Sequence, residues 1–119
     1  MKIDYEKKLI DCCKKRDMIL KKNLSIKDYN KNYTKMREYA RYLIAENNQV
    51  VLLPYLESES VSIAFDVAIL LFNSYPEKCA EKLKSIAAMN VKEGLPEYYV
   101  VVSVAASDNL KYGIPKDFP

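Results

Sequence analysis

The sequence predicts an all-α domain of about five to six helices, and three observations support this fold class. Glycine occurs only twice and proline five times in 119 residues, so the tight turns that join β-strands are scarce. Apolar residues recur at spacings of three and four over long segments, which is the periodicity of one helix face. Residues 61–72 carry ten apolar side chains in twelve positions, which predicts a helix that is buried on all sides.

The composition predicts a single domain over residues 1–119. We expect an N-terminal helix over 1–24, paired helices over 25–110 and an irregular tail over 111–119. Half of the residues are apolar and 29% are charged, a balance typical of globular proteins. There is no apolar run long enough to span a membrane and no signal peptide pattern, so we expect a cytoplasmic protein without a membrane partner.

The first two helices have recognisable boundaries. A helix over residues 3–22 is predicted by apolar positions on one face, with Asn23 as its stop. Ser25 is placed to cap the second helix, and Asp28 follows three residues later, as in an acidic version of the capping box. The second helix is expected to run to about Glu46, because Ile26, Tyr29, Tyr33, Met36, Ala40 and Leu43 form one stripe.

The segment over residues 49–56 is compatible with a strand or with a short helix. Pro54 argues against a central strand, because proline cannot donate to the hydrogen-bond ladder of a sheet. Since its neighbours are helical, we predict a short helix. The buried helix over residues 61–72 would then begin with Ser58 or Ser60 as its cap.

Two further helices begin with a Pro-Glu pair. Pro76 can occupy the first helical position because that N–H has no partner in the helix, and the apolar stripe continues to about Met89. Residues 98–106 are rich in valine and would favour a strand by propensity alone. We predict a helix there because Pro96-Glu97 precedes the segment and its surroundings are helical.

Three segments carry a resemblance to a known family. They are Arg-Glu-Tyr-Ala-Arg-Tyr-Leu at 37–43, the apolar helix at 61–72 and Tyr-Pro-Glu-Lys-Cys-Ala at 75–80. Over residues 33–110 the chain resembles small bacterial HEAT-like helical-repeat domains of unassigned function. The resemblance implies a short HEAT-like α-solenoid of antiparallel helix pairs. A faint self-similarity between residues 40–55 and 68–83 is compatible with such stacked hairpins.

Similar small helical proteins act as immunity proteins beside bacterial toxins, including the nucleases of contact-dependent growth inhibition. The resemblance therefore implies a non-catalytic module whose partner is a protein, a cognate toxin domain. It implies no catalytic residue, no cofactor and no metal. We do not expect an enzyme, because the chain lacks histidine and has no other motif for catalysis.

The charge distribution gives this hypothesis a candidate surface. Residues 1–47 hold 13 Lys and Arg against 7 Asp and Glu, whereas residues 48–119 hold 6 against 9. An acidic C-terminal portion with exposed tyrosines would suit a basic nuclease site, because complementary charge speeds association. The candidate partner-binding residues are Glu57, Glu59, Tyr75, Glu77, Glu81, Glu97 and Tyr98.

The basic N-terminal half supports an alternative, a module that binds nucleic acid, or a regulatory or scaffold protein. The residues that would contact phosphates are Lys14, Lys15, Arg16, Lys21, Lys22, Lys27, Lys31 and Lys35. Asp11, Asp17 and Asp28 alternate with them and lower the local positive field. No aromatic–basic recognition motif accompanies them, so we regard nucleic acid as the less favoured partner.

A few residues could carry chemistry, and for each we favour a structural role. Asp66 lies in the helix predicted to be buried, and we expect it to pair with Arg41 or Arg37 or to accept from a tyrosine hydroxyl. Glu77 and Glu81 share a helix face, which we interpret as solvated rather than as a metal site. Three cysteines fit no disulfide or zinc pattern and predict buried free thiols: Cys12, Cys13 and Cys79.

Overall fold

The structure is a computed structural model that describes residues 3–91 and 94–119, and it confirms the all-α prediction. Within those ranges every regular element is a helix. Five α-helices and two 3₁₀ segments follow one another: α1 Tyr5–Lys22, α2 Ile26–Ala45, a 3₁₀ segment Gln49–Glu57, α3 Val61–Leu70, α4 Pro76–Ala87, a 3₁₀ turn Ala88–Val91 and α5 Glu97–Tyr112.

A short turn joins α1 and α2 into an antiparallel hairpin. Asp4 caps α1 by accepting from the backbone N–H of Lys7 at 3.0 Å, and Asn23 ends it in the left-handed conformation with φ 52°. The hydroxyl of Ser25 accepts from the backbone N–H of Asp28 at 3.4 Å, which confirms the predicted cap of α2. The two helices pack along most of their length.

The helix α3 occupies the centre of the molecule, and all ten of its residues are buried. Ser60 is its cap, since the hydroxyl accepts from the backbone N–H of Ile63 at 3.2 Å. The helix ends at Leu70, two residues earlier than the predicted segment, and the chain turns there so that Phe72 is only half-buried. The predicted short helix before it is a 3₁₀ helix that contains Pro54.

The helices α4 and α5 complete the second part of the molecule and pack against each other. Pro76 is at the start of α4 as predicted, and the valine-rich segment is helical rather than extended. The prediction of an irregular tail from residue 111 is wrong at its start, because α5 continues to Tyr112. Its end is set by Gly113, whose φ of 86° is readily adopted only by glycine.

The elements stack into an elongated repeat-like bundle with principal extents of 47 × 31 × 24 Å. Four elements contact α3, namely the 3₁₀ segment Gln49–Glu57, α1, α4 and α5. The C-terminal segment folds back so that the ring of Phe118 lies 5.7 Å from the ring of Tyr33 on α2. In the described part of the chain, no helix has the length and apolar character needed to cross a membrane.

Candidate protein-binding surfaces

A buried ion pair joins α1 to α3 at the centre of the fold. The Arg16 guanidinium donates to both carboxylate oxygens of Asp66, at 3.0 and 3.1 Å, and the two side chains are 2% and 0% exposed. Arg16 also donates to the backbone oxygen of Tyr29 at 3.1 Å and lies against the rings of Tyr29 and Tyr33. The geometry thus supports a structural role for Asp66.

The protonation of this pair follows from its surroundings. Burial raises the pKa of the Asp66 carboxyl, and the adjacent Arg16 guanidinium offsets part of that shift. For Arg16, burial favours a lower pKa, but the Asp66 carboxylate outweighs it and the pKa is raised. The guanidinium therefore stays charged, and both oxygens of the carboxylate are held by one cation rather than aimed at a cavity.

The predicted partners of Asp66, Arg37 and Arg41, are the wrong residues. Both arginines lie on α2, where Arg37 pairs with the Asp117 carboxylate and Arg41 donates to the Asp117 backbone oxygen. The ring of Phe118 lies 4.9 Å from the Arg37 guanidinium. These arginines anchor the C-terminal segment on α2, whereas the cation that reaches Asp66 comes from α1.

The three thiols are buried and free, as the sequence predicted. Burial raises the pKa of Cys79 to about 11, and it also raises the pKa values of Cys12 and Cys13. Neutral buried thiols are poor nucleophiles, so their role here is packing. Among the described residues no group of three or more His, Cys, Asp and Glu side chains could hold a metal ion.

The carboxylate groove is a surface depression of about 490 Å³ between the 3₁₀ segment and α4. Its residues are Leu53, Leu56, Glu57, Lys78, Glu81, Lys82 and Ser85. Glu57 and Glu81 therefore line the same groove, but Lys78 and Lys82 line it too and reduce the negative field. The Lys82 ammonium is 3.8 Å from the Glu57 carboxylate, whose side chain remains 83% exposed.

The other predicted partner-binding residues do not all join this groove. Glu59 lines a small neighbouring cleft that shares Lys82 with it, while Tyr75 and Glu77 lie at the start of α4. Glu97 and Tyr98 line a different groove, between α5 and the α1–α2 turn. The seven residues are therefore spread over at least two surfaces and do not form one contiguous acidic face.

The basic surface that the alternative function requires is smaller than predicted. Arg16 is buried, so it is unavailable to phosphates. Lys21 forms an ion pair with Asp17 at 2.9 Å. The remaining lysines of that group are exposed, namely Lys14, Lys15, Lys22, Lys27, Lys31 and Lys35.

The sequence reasoning missed an exposed apolar surface beside the groove that contains Tyr98. On α5, the side chains of Val100, Val101 and Val104 are 48%, 56% and 46% exposed, and we call them the valine face. At the α1–α2 turn, Met18, Leu24 and Ile26 are 45%, 51% and 65% exposed, and we call them the apolar corner. The signal was present in the sequence, since residues 98–106 are apolar nearly all round.

The corner groove separates the valine face from the apolar corner. Its volume is about 600 Å³, and Leu24, Ile26 and Val101 are among the side chains that line it. Tyr98 also lines this groove, with the Lys21 ammonium 5.7 Å from its ring. Exposed apolar residues that cluster in this way mark interaction surfaces more often than isolated ones do.

Comparisons of the chain with protein-family models, with curated proteins and with solved structures found no match.

Proposed function

We propose that this chain is a non-catalytic protein-binding module that acts as an immunity protein and neutralises a cognate bacterial toxin domain, a nuclease. The observation that carries the proposal is the carboxylate groove, which combines an apolar floor with exposed carboxylates. Leu53 and Leu56 supply the apolar part, and Glu57 and Glu81 supply the charges. Protein interfaces combine an apolar centre with a polar rim in the same way.

The carboxylate of Glu57 is available to a partner despite its ion pair. A pair separated by 3.8 Å with an almost fully exposed carboxylate contributes little to stability, because water screens it. A lysine or arginine of a toxin can replace Lys82 with little loss. Nuclease active sites are basic because they hold phosphate, so the exposed carboxylates of Glu57 and Glu81 suit them as contacts.

The groove lies on a rigid support, which favours tight binding. One side of α4 packs into the core through Cys79, Leu83 and Ile86, while Lys78, Glu81, Lys82 and Ser85 line the groove on its outer side. The helix beneath it, α3, is buried over its whole length. A surface that is ordered before binding loses less conformational entropy when its partner docks.

The test is co-expression with the toxin domain encoded beside this gene. The wild-type chain is expected to restore growth of the host and to bind the purified toxin domain. The double variant Glu57→Lys/Glu81→Lys is expected to slow association at low salt by about tenfold, because it leaves only positive charges in the groove. Glu38→Lys on the exposed side of α2 is the matched control and is expected to associate normally.

Two outcomes would contradict this proposal. One is a gene neighbourhood without any toxin gene, and the other is unchanged association of the double variant with the toxin. The alternative, binding of nucleic acid by the exposed lysines, predicts instead a gel shift with duplex DNA or RNA whose strength falls steeply with salt. Lys22→Glu/Lys27→Glu would weaken that shift, whereas the reversal of the groove carboxylates would not.

A further inference from the structure

We propose that two copies of this chain associate about a two-fold axis that passes near the corner groove. The valine face of each copy would pack on the apolar corner of the other. This inference goes beyond the toxin-binding proposal and does not depend on it, because the corner groove and the carboxylate groove share no lining residue.

The valine face has no use in the isolated chain. Val102, Ser103 and Ala106 form the buried side of α5, whereas about half of the surface of each outward valine stays exposed to solvent. Valine is also a poor helix former, because its branched side chain loses rotamer freedom in a helix. An exposed helix face with three valines therefore gains neither packing nor helix propensity, unless another surface covers it.

Charges at the two ends of the valine face are acidic. Glu97, Val101, Val104 and Asp108 follow one another at spacings of four, three and four, which places them on one side of α5. Glu97 and Asp108 are both exposed. The outer surface of α5 is thus a stripe of apolar residues flanked by carboxylates.

The apolar corner has the opposite pattern. Lys14, Met18 and Lys22 follow at spacings of four along α1, and Lys27 comes directly after Ile26 at the start of α2. Lys14, Lys22 and Lys27 are exposed. Asp28 is exposed beside Lys27, but ammonium groups outnumber carboxylates here, so this apolar surface is the charge complement of the stripe on α5.

Two adjacent surfaces of opposite pattern form a self-complementary patch, which suits a two-fold dimer. In such a dimer, a contact of surface A with surface B is repeated as a contact of B with A. The stripe from Glu97 to Asp108 is about 16 Å long at 1.5 Å per residue, and the stretch from Lys14 to Lys22 is about 12 Å. The lengths match closely enough for carboxylates to meet lysines at both ends while the apolar side chains meet between them.

The test is sedimentation equilibrium of the purified full chain between about 1 and about 200 µM. We expect the mass to rise from the 13.8 kDa of one chain toward twice that value. Val101→Arg and, as a second variant, Val104→Arg are expected to remain single chains over the whole range. Val50→Arg is the matched control, since this valine is 53% exposed but lies on the 3₁₀ segment, and it is expected to associate like the wild type.

A charge exchange tests the orientation of the two copies. Glu97→Lys and Lys22→Glu are each expected to weaken association by about tenfold at low salt, because each places like charges opposite one another. The double variant Glu97→Lys/Lys22→Glu is expected to recover most of that loss, since both contacts become complementary again. Circular dichroism confirms that each variant is folded.

Three results would overturn the proposal. A mass of one chain at every concentration would exclude a second copy as the occupant and leave this surface to a different protein. Dimers that persist in the folded Val101→Arg and Val104→Arg variants would place the interface elsewhere. A double charge variant weaker than both single variants would contradict the contact of Glu97 in one copy with Lys22 in the other.

Discussion

The helix α3 and residues 98–106 of α5 are both apolar nearly all round, yet only α3 is enclosed. All ten residues of α3 are buried, whereas three valines of α5 project from the surface. The difference lies in the number of neighbours: four elements surround α3, while α5 packs mainly on α4 and the adjacent 3₁₀ turn. An apolar helix is thus buried only when the fold supplies enough partners, and a helix at the edge keeps one face for another molecule.

The strongest test of this contrast removes one carboxylate from each helix. Asp66→Ala is expected to lower the free energy of unfolding by about 3–5 kcal/mol, because it leaves the Arg16 charge buried without its partner. Glu97→Ala on α5 removes an exposed carboxylate and is expected to change the free energy of unfolding by about 0.5 kcal/mol or less. Urea unfolding followed by circular dichroism measures both values.

A double variant separates the cost of an unpaired charge from the value of the pair. Arg16→Met/Asp66→Leu is expected to recover most of the stability that Asp66→Ala loses, since well-packed apolar side chains can replace a buried ion pair. A loss below about 1 kcal/mol for Asp66→Ala would contradict the central position assigned to this pair.

The same substitution in the two helices gives a second comparison. Val67→Ala in α3 is expected to lower the free energy of unfolding by about 2–3 kcal/mol, because it removes buried methyl groups and leaves a cavity. Val101→Ala in α5 is expected to be neutral or slightly stabilising at low protein concentration, because alanine is the better helix former. Thermal or urea unfolding measures both effects. Equal losses of stability in Val67→Ala and Val101→Ala would contradict the exposure of Val101 on α5.

The enclosed side of the fold can be tested through the pH dependence of the free energy of unfolding. The group that should dominate it is Cys79, a thiol of α4 that faces the core. Burial raises its pKa to about 11, so the thiol binds its proton more tightly in the folded than in the unfolded chain. Its stabilising contribution is complete below the unfolded pKa of about 8.5 and is lost as the pH rises through the folded value. The expected loss is about 2–3 kcal/mol by pH 11.

The variant Cys79→Ala isolates this contribution from the other groups that titrate in alkali. Between pH 8 and pH 11, the wild type is expected to lose more stability in urea unfolding than the variant does. If the free energy of unfolding fell equally with pH in the two proteins, the pKa of Cys79 would not be raised by burial. In the native chain, thiol reagents are likewise expected to react slowly until urea exposes the cysteines.

The smallest expected effect concerns the starts of the two helices. Ser60→Ala removes the hydroxyl that caps α3 and is expected to cost about 1 kcal/mol. No side chain caps α5, whose cap position is Pro96, so Pro96→Ala is expected to change the free energy of unfolding by about 0.5 kcal/mol or less. A larger loss of unfolding free energy for Pro96→Ala than for Ser60→Ala would contradict the view that only α3 has a stabilising side-chain cap.

Local signals were sufficient to predict the helices. Ser25, Pro76 and the apolar segment over residues 61–72 each predicted an element that the structure contains. The predicted end of the last helix at residue 110 was two residues early, although Gly113, whose conformation closes the helix, is a stop signal that the sequence contains.

Partners distant in sequence could not be predicted in the same way. Asp66 lies 50 residues from Arg16, and the sequence offers several cations with an equal claim to it. The candidate carboxylates were selected by their charge alone. Which of them share a surface depends on how the helices pack, and the packing places Glu57 and Glu97 in different grooves. The valine-rich segment was interpreted only as helix or strand, because apolar residues on all sides do not reveal whether a neighbour is present.

Amide hydrogen exchange of α3 and α5, measured at two protein concentrations that differ about a hundredfold, tests the contrast most directly. We predict that amides of α3 exchange slowly and equally at both concentrations. We predict that amides of α5 and of the α1–α2 turn exchange faster in dilute than in concentrated protein, because the second copy covers them. Exchange in α3 as fast as in α5 would contradict the division between an enclosed helix and an open one, and exchange in α5 that does not depend on concentration would contradict its coverage by a second copy.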